Sequence, residues 1–253
     1  MPAPLPAADG PAPLSDLEHQ RLFYATLPTA CPYLPGRTEQ RVVTELLPDE
    51  QDILDQLSEA GFRRSQGWLY RPACPSCQAC VSVRIPVARF VWTKGWRRIV
   101  NRNADLSVEE RPMRPTAEQY DLFRRYLLSR HEDGGMAAMG EGDYAAMVAR
   151  APRTSRLVEF RDGDHGLRAV SLVDRIRSGL SGVYTFFDPA LEKRSPGTFM
   201  ILWYVKRATE LGLPYVYLGY WIEDCRKMRY KARFRPLERL VGMRWEAFEP
   251  PEA

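Results

Sequence analysis

Residues Thr198 to Leu211 constrain the fold of this chain more than any other stretch. Seven consecutive positions, Phe199, Met200, Ile201, Leu202, Trp203, Tyr204 and Val205, are apolar or aromatic. A helix formed here has no wettable side and must be covered on nearly every face. Strand-like segments flank it. Gly182–Phe187 precedes it, and Pro214–Ile222, almost wholly apolar or aromatic, follows it. A buried helix between two such strands predicts a central crossover in a layered α+β sheet.

The remaining pattern supplies the other layers. Arg41–Leu47 alternates as a half-buried strand, and Pro48-Asp49-Glu50 opens a helix that carries Ile53, Leu54 and Leu57 at helical spacing and stops at Gly61. Phe62–Tyr70 and Val81–Phe90 read as strands bracketing a cysteine-bearing loop. A basic helix is expected over Trp92–Ala104, a strand over Asp105–Arg111, an amphipathic helix from Thr116 to about His131 and a shorter helix over Tyr144–Ala149. Ser155–Arg161, Leu167–Ile176 and Val241–Phe248 complete the strands. The order predicts a mixed, mostly antiparallel sheet. The division it implies is a flexible Pro/Ala-rich tail at 1–16, an N-terminal cysteine-bearing α/β half at 17–112 and a half at 113–253 built around the buried helix.

Composition excludes several classes. The 253 residues include five cysteines, an odd number, three of them within seven positions. That predicts reduced thiols rather than a disulfide scaffold. No run approaches the roughly 18–20 apolar residues of a membrane span, and the first thirty positions lack a basic n-region and an apolar h-region. A cytoplasmic protein with no membrane partner is expected. Lys and Arg number 36 against 32 acids, a net charge of only +4, so the distribution of charge matters more than its sum.

Three constellations could carry chemistry. In the first, Lys193-Arg194-Ser195-Pro196-Gly197-Thr198 leads into the buried helix, where unpaired N–H groups and two adjacent cations suit a phosphate. Taken by itself, Ser195 reads as a plain N-cap with Pro196 at the first helical position; the strands on either side of the motif raise the phosphate reading. This strand, basic turn, buried helix, strand order resembles the acyl-CoA N-acyltransferase (GNAT) architecture, in which the turn holds a pyrophosphate. In the second, eight basic residues and one acid lie between Arg226 and Arg244. Lys227, Arg229 and Arg233 alternate there with Met228, Tyr230 and Phe234, which on an extended segment separates a basic face from a stacking face and points to nucleic acid. The third is Cys74-Pro-Ser-Cys77-Gln-Ala-Cys80 with Cys31 at another turn. These are candidate ligands for zinc or an iron–sulfur cluster, or else free buried thiols. No hydrolase elbow, Walker loop or dinucleotide fingerprint is present.

Taken together, Tyr217-Leu-Gly-Tyr-Trp-Ile222, Cys225-x-Lys-Met-x-Tyr-Lys-x-x-Phe-x-Pro-x-Glu238, Cys31-Pro-Tyr-Leu34 and Tyr70-Arg-Pro-x-Cys74-Pro75 with Arg84 resemble the arginyl-tRNA–protein transferase family. The Cys-Pro-x-Cys-x-x-Cys form resembles its bacterial branch, the aspartate/glutamate leucyltransferases. The resemblance covers about residues 20 to 248. It implies a GNAT-like fold and transfer of leucine from leucyl-tRNA to the α-amine of proteins beginning with Asp or Glu, marking them for N-degron degradation. It implies no cofactor beyond leucyl-tRNA; the cluster-bearing eukaryotic relatives have a different cysteine pattern.

The aminoacyl ester is already activated, and a protein α-amine titrates near ~7.7–8.0, so positioning, a proton acceptor and oxyanion stabilisation suffice. Asp188, Tyr184 and Tyr220, with Tyr217, are the candidates for proton handling. Arg84, Arg226 and Lys231 are the candidates for binding the acidic N-terminal side chain. Lys193, Arg194, Ser195, Gly197, Thr198, Lys227, Arg229 and Arg233 are assigned to tRNA phosphates. The alternatives are an acetyl-CoA-dependent N-acetyltransferase and a non-enzymatic cysteine–metal RNA-binding module.

Overall fold

The computed structural model describes residues 21–130 and 138–251; the tail expected at 1–16 lies outside them. Four strands, β1 (Tyr24–Ala25), β4 (Arg41–Glu45), β5 (Arg63–Ser65) and β6 (Trp68–Pro72), form a small antiparallel sheet ordered β1-β4-β6-β5. Beside it are a two-residue ladder, β2 (Thr29–Ala30) with β3 (Thr38–Glu39), and helix α1 (Gln51–Glu59).

The second sheet has eight strands: β7 (Val81–Pro86), β8 (Ser107–Arg111), β9 (Arg156–Arg161), β10 (Leu167–Ile176), β11 (Gly179–Phe187), β12 (Tyr215–Trp221), β13 (Leu237–Val241) and β14 (Arg244–Phe248). Their order is β14-β13-β7-β12-β11-β10-β9-β8, antiparallel throughout except for β11 and β12. A parallel pair needs a crossover. That crossover is α5 (Pro196–Glu210), which packs on β11, β12 and α2 (Lys94–Arg102), with Met200, Leu202 and Val205 fully buried. Helices α3 (Ala117–Arg130) and α4 (Glu141–Ala149) pack against each other, α3 also on β10 and β11.

Both faces of the large sheet are covered. Val216 joins the main core with α3 and α5, whereas its neighbour Tyr217 joins a second core with Leu54, Phe62 and Leu69 from α1 and the small sheet. Successive strand residues point to opposite faces, so the small sheet and α1 cap the face that α3 and α5 leave open. Arg64 of β5 fixes this cap by a two-pronged ion pair to Asp174 of β10, both N···O distances 2.8 Å, with Ser155 donating to the same carboxylate.

The structure revises three expectations. β7 and β8 belong to the large sheet, so strands from both sides of the division expected at residue 112 build one sheet. Phe62–Tyr70 is a hairpin rather than one strand, because Gln66 turns the chain at φ 54° between β5 and β6. The segment after Cys225 is not extended. It coils into a helical turn, α6 (Arg226–Arg229), and a 3-10 turn at Tyr230–Arg233, because Lys231 and Ala232 follow Met228 at helical i+3 and i+4 spacing and turn inward together.

β11 and β12 pair only at Gly179↔Tyr215, Leu180↔Val216 and Ser181↔Tyr217. Beyond that point each strand carries an irregularity, Val183 against β10 and Leu218 against β7. Bulges bend and twist strands. A cleft opens between the two.

Candidate active site and nucleic-acid interface

The cleft has a volume of about 320 Å³. Its walls are Gly182–Thr185 of β11 and Tyr217–Tyr220 of β12, closed at one end by Ile201 and Tyr204 of α5 and at its rim by Met228, Tyr230 and Lys231. Gly197, in the first turn of α5, opens onto it. The small sheet adds Arg63, Arg64 and Tyr70. No acidic side chain lines it among the described residues.

Of the three cations lining this cleft, Arg64 is paired to Asp174, and two have no carboxylate partner among the described residues. Lys231 Nζ is buried and donates to the Tyr220 carbonyl at 2.5 Å. Burial, then the nearby Arg63 charge, bring its pKa down to about 7. At neutral pH it is therefore shared between ammonium and free amine. Arg63 Nη1 donates to Ser181 Oγ at 2.8 Å and Nη2 to the Gly182 carbonyl, at the point where the strands part. The sequence reading did not single out Arg63. Its signal was the Arg63-Arg64 pair inside a strand, since consecutive cations on a pleated strand cannot both face outward.

The aromatic wall is held in the neutral form. Burial raises the hydroxyls of Tyr184, Tyr204 and Tyr220 well above the ordinary tyrosine range. A neutral phenol of this kind can donate a hydrogen bond and is a poor base. Tyr220 Oη already donates to the Gly61 carbonyl at 2.9 Å, and Tyr204 Oη is bonded to Ser171 Oγ. Tyr184 lines the cleft with its ring edge-on to Phe123.

Asp188 stands at the end of β11, away from the cleft lining. Its carboxylate accepts from Arg168 at 2.9 Å and from the Ala190 amide at 3.0 Å, with Arg125 at 3.6 Å, an arrangement that caps a turn. Arg84 is likewise occupied. It pairs with Glu238 at 2.8 Å, donates to Tyr217 Oη at 3.2 Å and lies 3.4 Å over the Tyr215 ring. Tyr217 Oη is also bonded to Ser178 Oγ at 2.9 Å. Of the three cations expected to meet an acidic substrate, only Lys231 lines the cleft. Arg226 is exposed on α6.

The cations expected to meet phosphate do gather. The rings of Trp96 (α2) and Phe234 stack with centroids 4.9 Å apart and planes 1° from parallel, and Arg233 lies 5.3 Å over Trp96. The turn at Lys193-Arg194 is tied to the same helix: Arg102 donates to the Lys193 carbonyl at 2.8 Å and Asn103 to the Arg194 carbonyl at 3.0 Å. Three basic segments distant in sequence thus adjoin, and one of them forms the rim of the cleft. Lys94, Arg97, Arg98, Arg226, Lys227, Arg229 and Arg233 are exposed. None has a carboxylate within ion-pair distance among the described residues. Arg194 differs, being paired to Asp105. Ser195 takes the left-handed conformation at φ 56° and its hydroxyl caps no amide, while Thr198 is half-buried in the first turn of α5.

Cys31, Cys74, Cys77 and Cys80 line a neighbouring depression of about 530 Å³ that shares Tyr33, Tyr70 and Tyr220 with the cleft. Each thiol has its own surroundings. Cys77 Sγ accepts from Arg37 at 3.2 Å, Cys74 Sγ accepts from the Gln40 amide at 3.4 Å, and Cys31 and Cys80 pack around Leu34 and Ile222. Burial and the other three thiols push Cys80 up to about 12. Among the described residues no three or more Cys, His, Asp or Glu are arranged to hold a metal ion. The zinc or iron–sulfur assignment therefore gains no support from the geometry.

Comparison with known proteins follows these elements. The model of the arginine-tRNA-protein transferase N terminus matches residues 29–98, and that of the C terminus matches residues 118–241. A protein of Paramagnetospirillum magneticum named aspartate/glutamate leucyltransferase is 49% identical, covering 92% of this chain and 96% of its own. Its namesake from Parvibaculum lavamentivorans is 53% identical over 89% and 94%. Among solved structures, L-PGS from Bacillus licheniformis matches 69% of this chain and 51% of its own at 12% identity, with a TM-score of 0.43. With both family models matched on the elements that build the cleft and its basic rim, and about half the residues shared with these bacterial enzymes along nearly the whole length, the chain belongs to the bacterial aspartate/glutamate leucyltransferase branch of the arginine-tRNA–protein transferase family.

Proposed function

We propose that this chain transfers leucine from leucyl-tRNA to the α-amine of proteins whose first residue is Asp or Glu, on a GNAT-like scaffold and in the cytoplasm, where charged tRNA resides. The observation that carries this reading is the junction of unpaired basic segments beside a cleft that holds a buried lysine. The exposed cations suit phosphates of an acceptor stem. The cleft offers a site for the ester and the amine away from bulk water.

In the reaction the substrate nitrogen attacks the leucyl carbonyl carbon. A C–N bond forms, the C–O bond to the terminal ribose breaks, the amine loses a proton and the ribose oxygen gains one. The free-amine form of Lys231 takes the proton, and the resulting ammonium returns it to the leaving oxygen. Neutral Tyr184 supplies an O–H donor for the carbonyl oxygen as it gains charge. Tyr220 contributes through its backbone, which aims Lys231. Lys227, Arg229, Arg233 and Arg226 hold the tRNA with Lys193, and Gly197 lets the start of α5 approach it.

Purified protein incubated with labelled leucyl-tRNA and peptides beginning Asp, Glu or Asn is expected to label the acidic pair. Equal labelling of all three peptides, or of none, would sink this reading. Product formation from acetyl-CoA in the same assay would favour the acetyltransferase alternative instead.

A further inference from the structure

Arg63 is a cation without a counter-ion in a partly buried place. It reaches from β5 of the small sheet across to β11, and the two hydrogen bonds described above use two of the five N–H donors of a guanidinium. The other three meet no acceptor among the described residues, and no carboxylate there lies within ion-pair distance. Its neighbour Arg64 shows the opposite condition, saturated by Asp174. The site also has room made for it. Gly219 of β12 sits at φ 76°, and a Cβ added there would stand 3.0 Å from Arg63 Nε. Glycine takes that conformation without strain and, lacking a Cβ, lets the guanidinium lie close against β12.

A partly buried cation with three free N–H donors and no counter-ion among the described residues is a ready partner for an anion. We infer that Arg63 is the specificity-determining residue of the cleft, receiving the side-chain carboxylate of the N-terminal Asp or Glu. This inference rests on the leucyltransferase reading above and adds the residue that selects the substrate.

Three observations favour that anion over a tRNA phosphate. Arg63 lies at the vertex where β11 and β12 part, flanked by Ser181 and Gly219, while the exposed cations available to phosphates stand on α2, α6 and the following turn. Lys231 lines the same cleft, and an aspartate or glutamate carries its carboxylate only a few bonds from the α-amine that Lys231 would deprotonate. The planar fork of an arginine matches a carboxylate in two-pronged geometry. Arg84, Arg226 and Lys231, the candidates from sequence, are respectively paired, exposed on α6 and half-neutral at pH 7.

The test measures kcat/KM for leucylation of peptides beginning Asp, Asn, Glu and Gln by the full-length protein, together with leucyl-tRNA affinity by filter binding. The wild type is expected to favour Asp over Asn by about 10–100-fold, the worth of one hydrogen-bonded charge pair. Arg63→Gln keeps an amide donor for Ser181 and Gly182 but loses the charge. It is expected to bring the Asp/Asn and Glu/Gln ratios near one, with tRNA affinity unchanged. Arg63→Lys, which keeps charge without the fork, is expected to retain part of the preference. If Arg63→Gln slows all four peptides alike and leaves the ratios intact, Arg63 merely props the strands apart and the inference is overturned. Weakened leucyl-tRNA binding with intact ratios would make the anion a phosphate and overturn it too. Failure of the wild type to label any acidic peptide would overturn the leucyltransferase reading itself, a result visible before any variant is made.

Discussion

Trp96 on α2 and Phe234 in the turn after α6 lie face to face, 4.9 Å apart and parallel to within 1°. Both rings are buried, and the exposed arginines and lysines of their segments project from the joint they make. Trp96→Leu keeps the site apolar but removes the stack and the surface on which Arg233 lies. A cost of about 1–2 kcal/mol is expected from lost aromatic pairing and imperfect filling. The denaturant midpoint should fall accordingly, and leucyl-tRNA affinity should drop several-fold while the KM for peptide stays put. A variant with normal tRNA affinity would show that the two basic segments bind independently.

Phosphate contacts are read best from salt dependence. Lys227 is exposed and has no acidic neighbour at ion-pair distance among the described residues. Lys227→Ala should lower the magnitude of the slope of log affinity against log salt by about 0.7–0.9, the release of one counterion. Lys227→Glu should weaken binding further at low salt and converge towards wild type at high salt. An affinity for wild-type protein that ignores salt would remove phosphates from the interface.

The fold was legible where its signals are local. The all-round apolar run and its flanking strands correspond to α5 between β11 and β12, and the periodicity of α3 marks its start to within one residue, while its expected end at His131 lies outside the described residues. The cleft was legible only in part. Period-two alternation of Met228 and Tyr230 imitates a strand, whereas the segment is helical because Lys231 and Ala232 turn inward together. Asp188 and Arg84 carry suitable chemistry, but arginines and a glutamate brought close only by folding occupy them. The Arg63-Arg64 pair marks an inward-facing cation, but the partners of Arg63, Ser181 and Gly182, lie more than a hundred residues away on β11 of the other sheet.

Those two sheets are joined by the Arg64–Asp174 pair, each side chain 1% exposed. Asp174→Ala leaves a guanidinium in the interior without its partner, and a loss of about 3–5 kcal/mol is expected. Arg64→Met with Asp174→Leu removes both charges and should cost less than Asp174→Ala alone. Urea unfolding of the single and double variants checks this. A double variant less stable than the single would mean that packing, not charge, holds the sheets together.

The four N-terminal cysteines should differ in reactivity. The Ala79 amide and the Arg37 guanidinium lower the pKa of Cys77, whereas burial lifts Cys80 to about 12. Thiolates are the reactive species. Iodoacetamide at pH 7.5, followed by peptide mass mapping, should modify Cys77 well before Cys80. Equal rates would show that the Arg37 contact does not persist in solution.

Lys231 sets stability against activity. Its folded pKa of about 7 lies below the ordinary 10.5. Above pH 10.5 the amine is neutral in both states and carries no electrostatic cost. As pH falls from there towards 7 the unfolded chain binds a proton that the folded chain does not, so stability declines; below 7 both are protonated and the cost is constant, roughly 3–5 kcal/mol. Lys231→Met should therefore raise the Tm at pH 7, after loss of the hydrogen bond to Tyr220 is subtracted, and the gain should vanish above pH 10. Leucyl transfer by the same variant should fall about 10²–10⁴-fold, the usual worth of a general base. For the wild type, kcat/KM should rise through pH 7 as Lys231 loses its proton and again near ~7.7–8.0 as the peptide amine does; the variant should keep only the second rise. A variant both less stable at pH 7 and fully active would remove Lys231 from the proton path and leave it a structural anchor of the Tyr220 backbone.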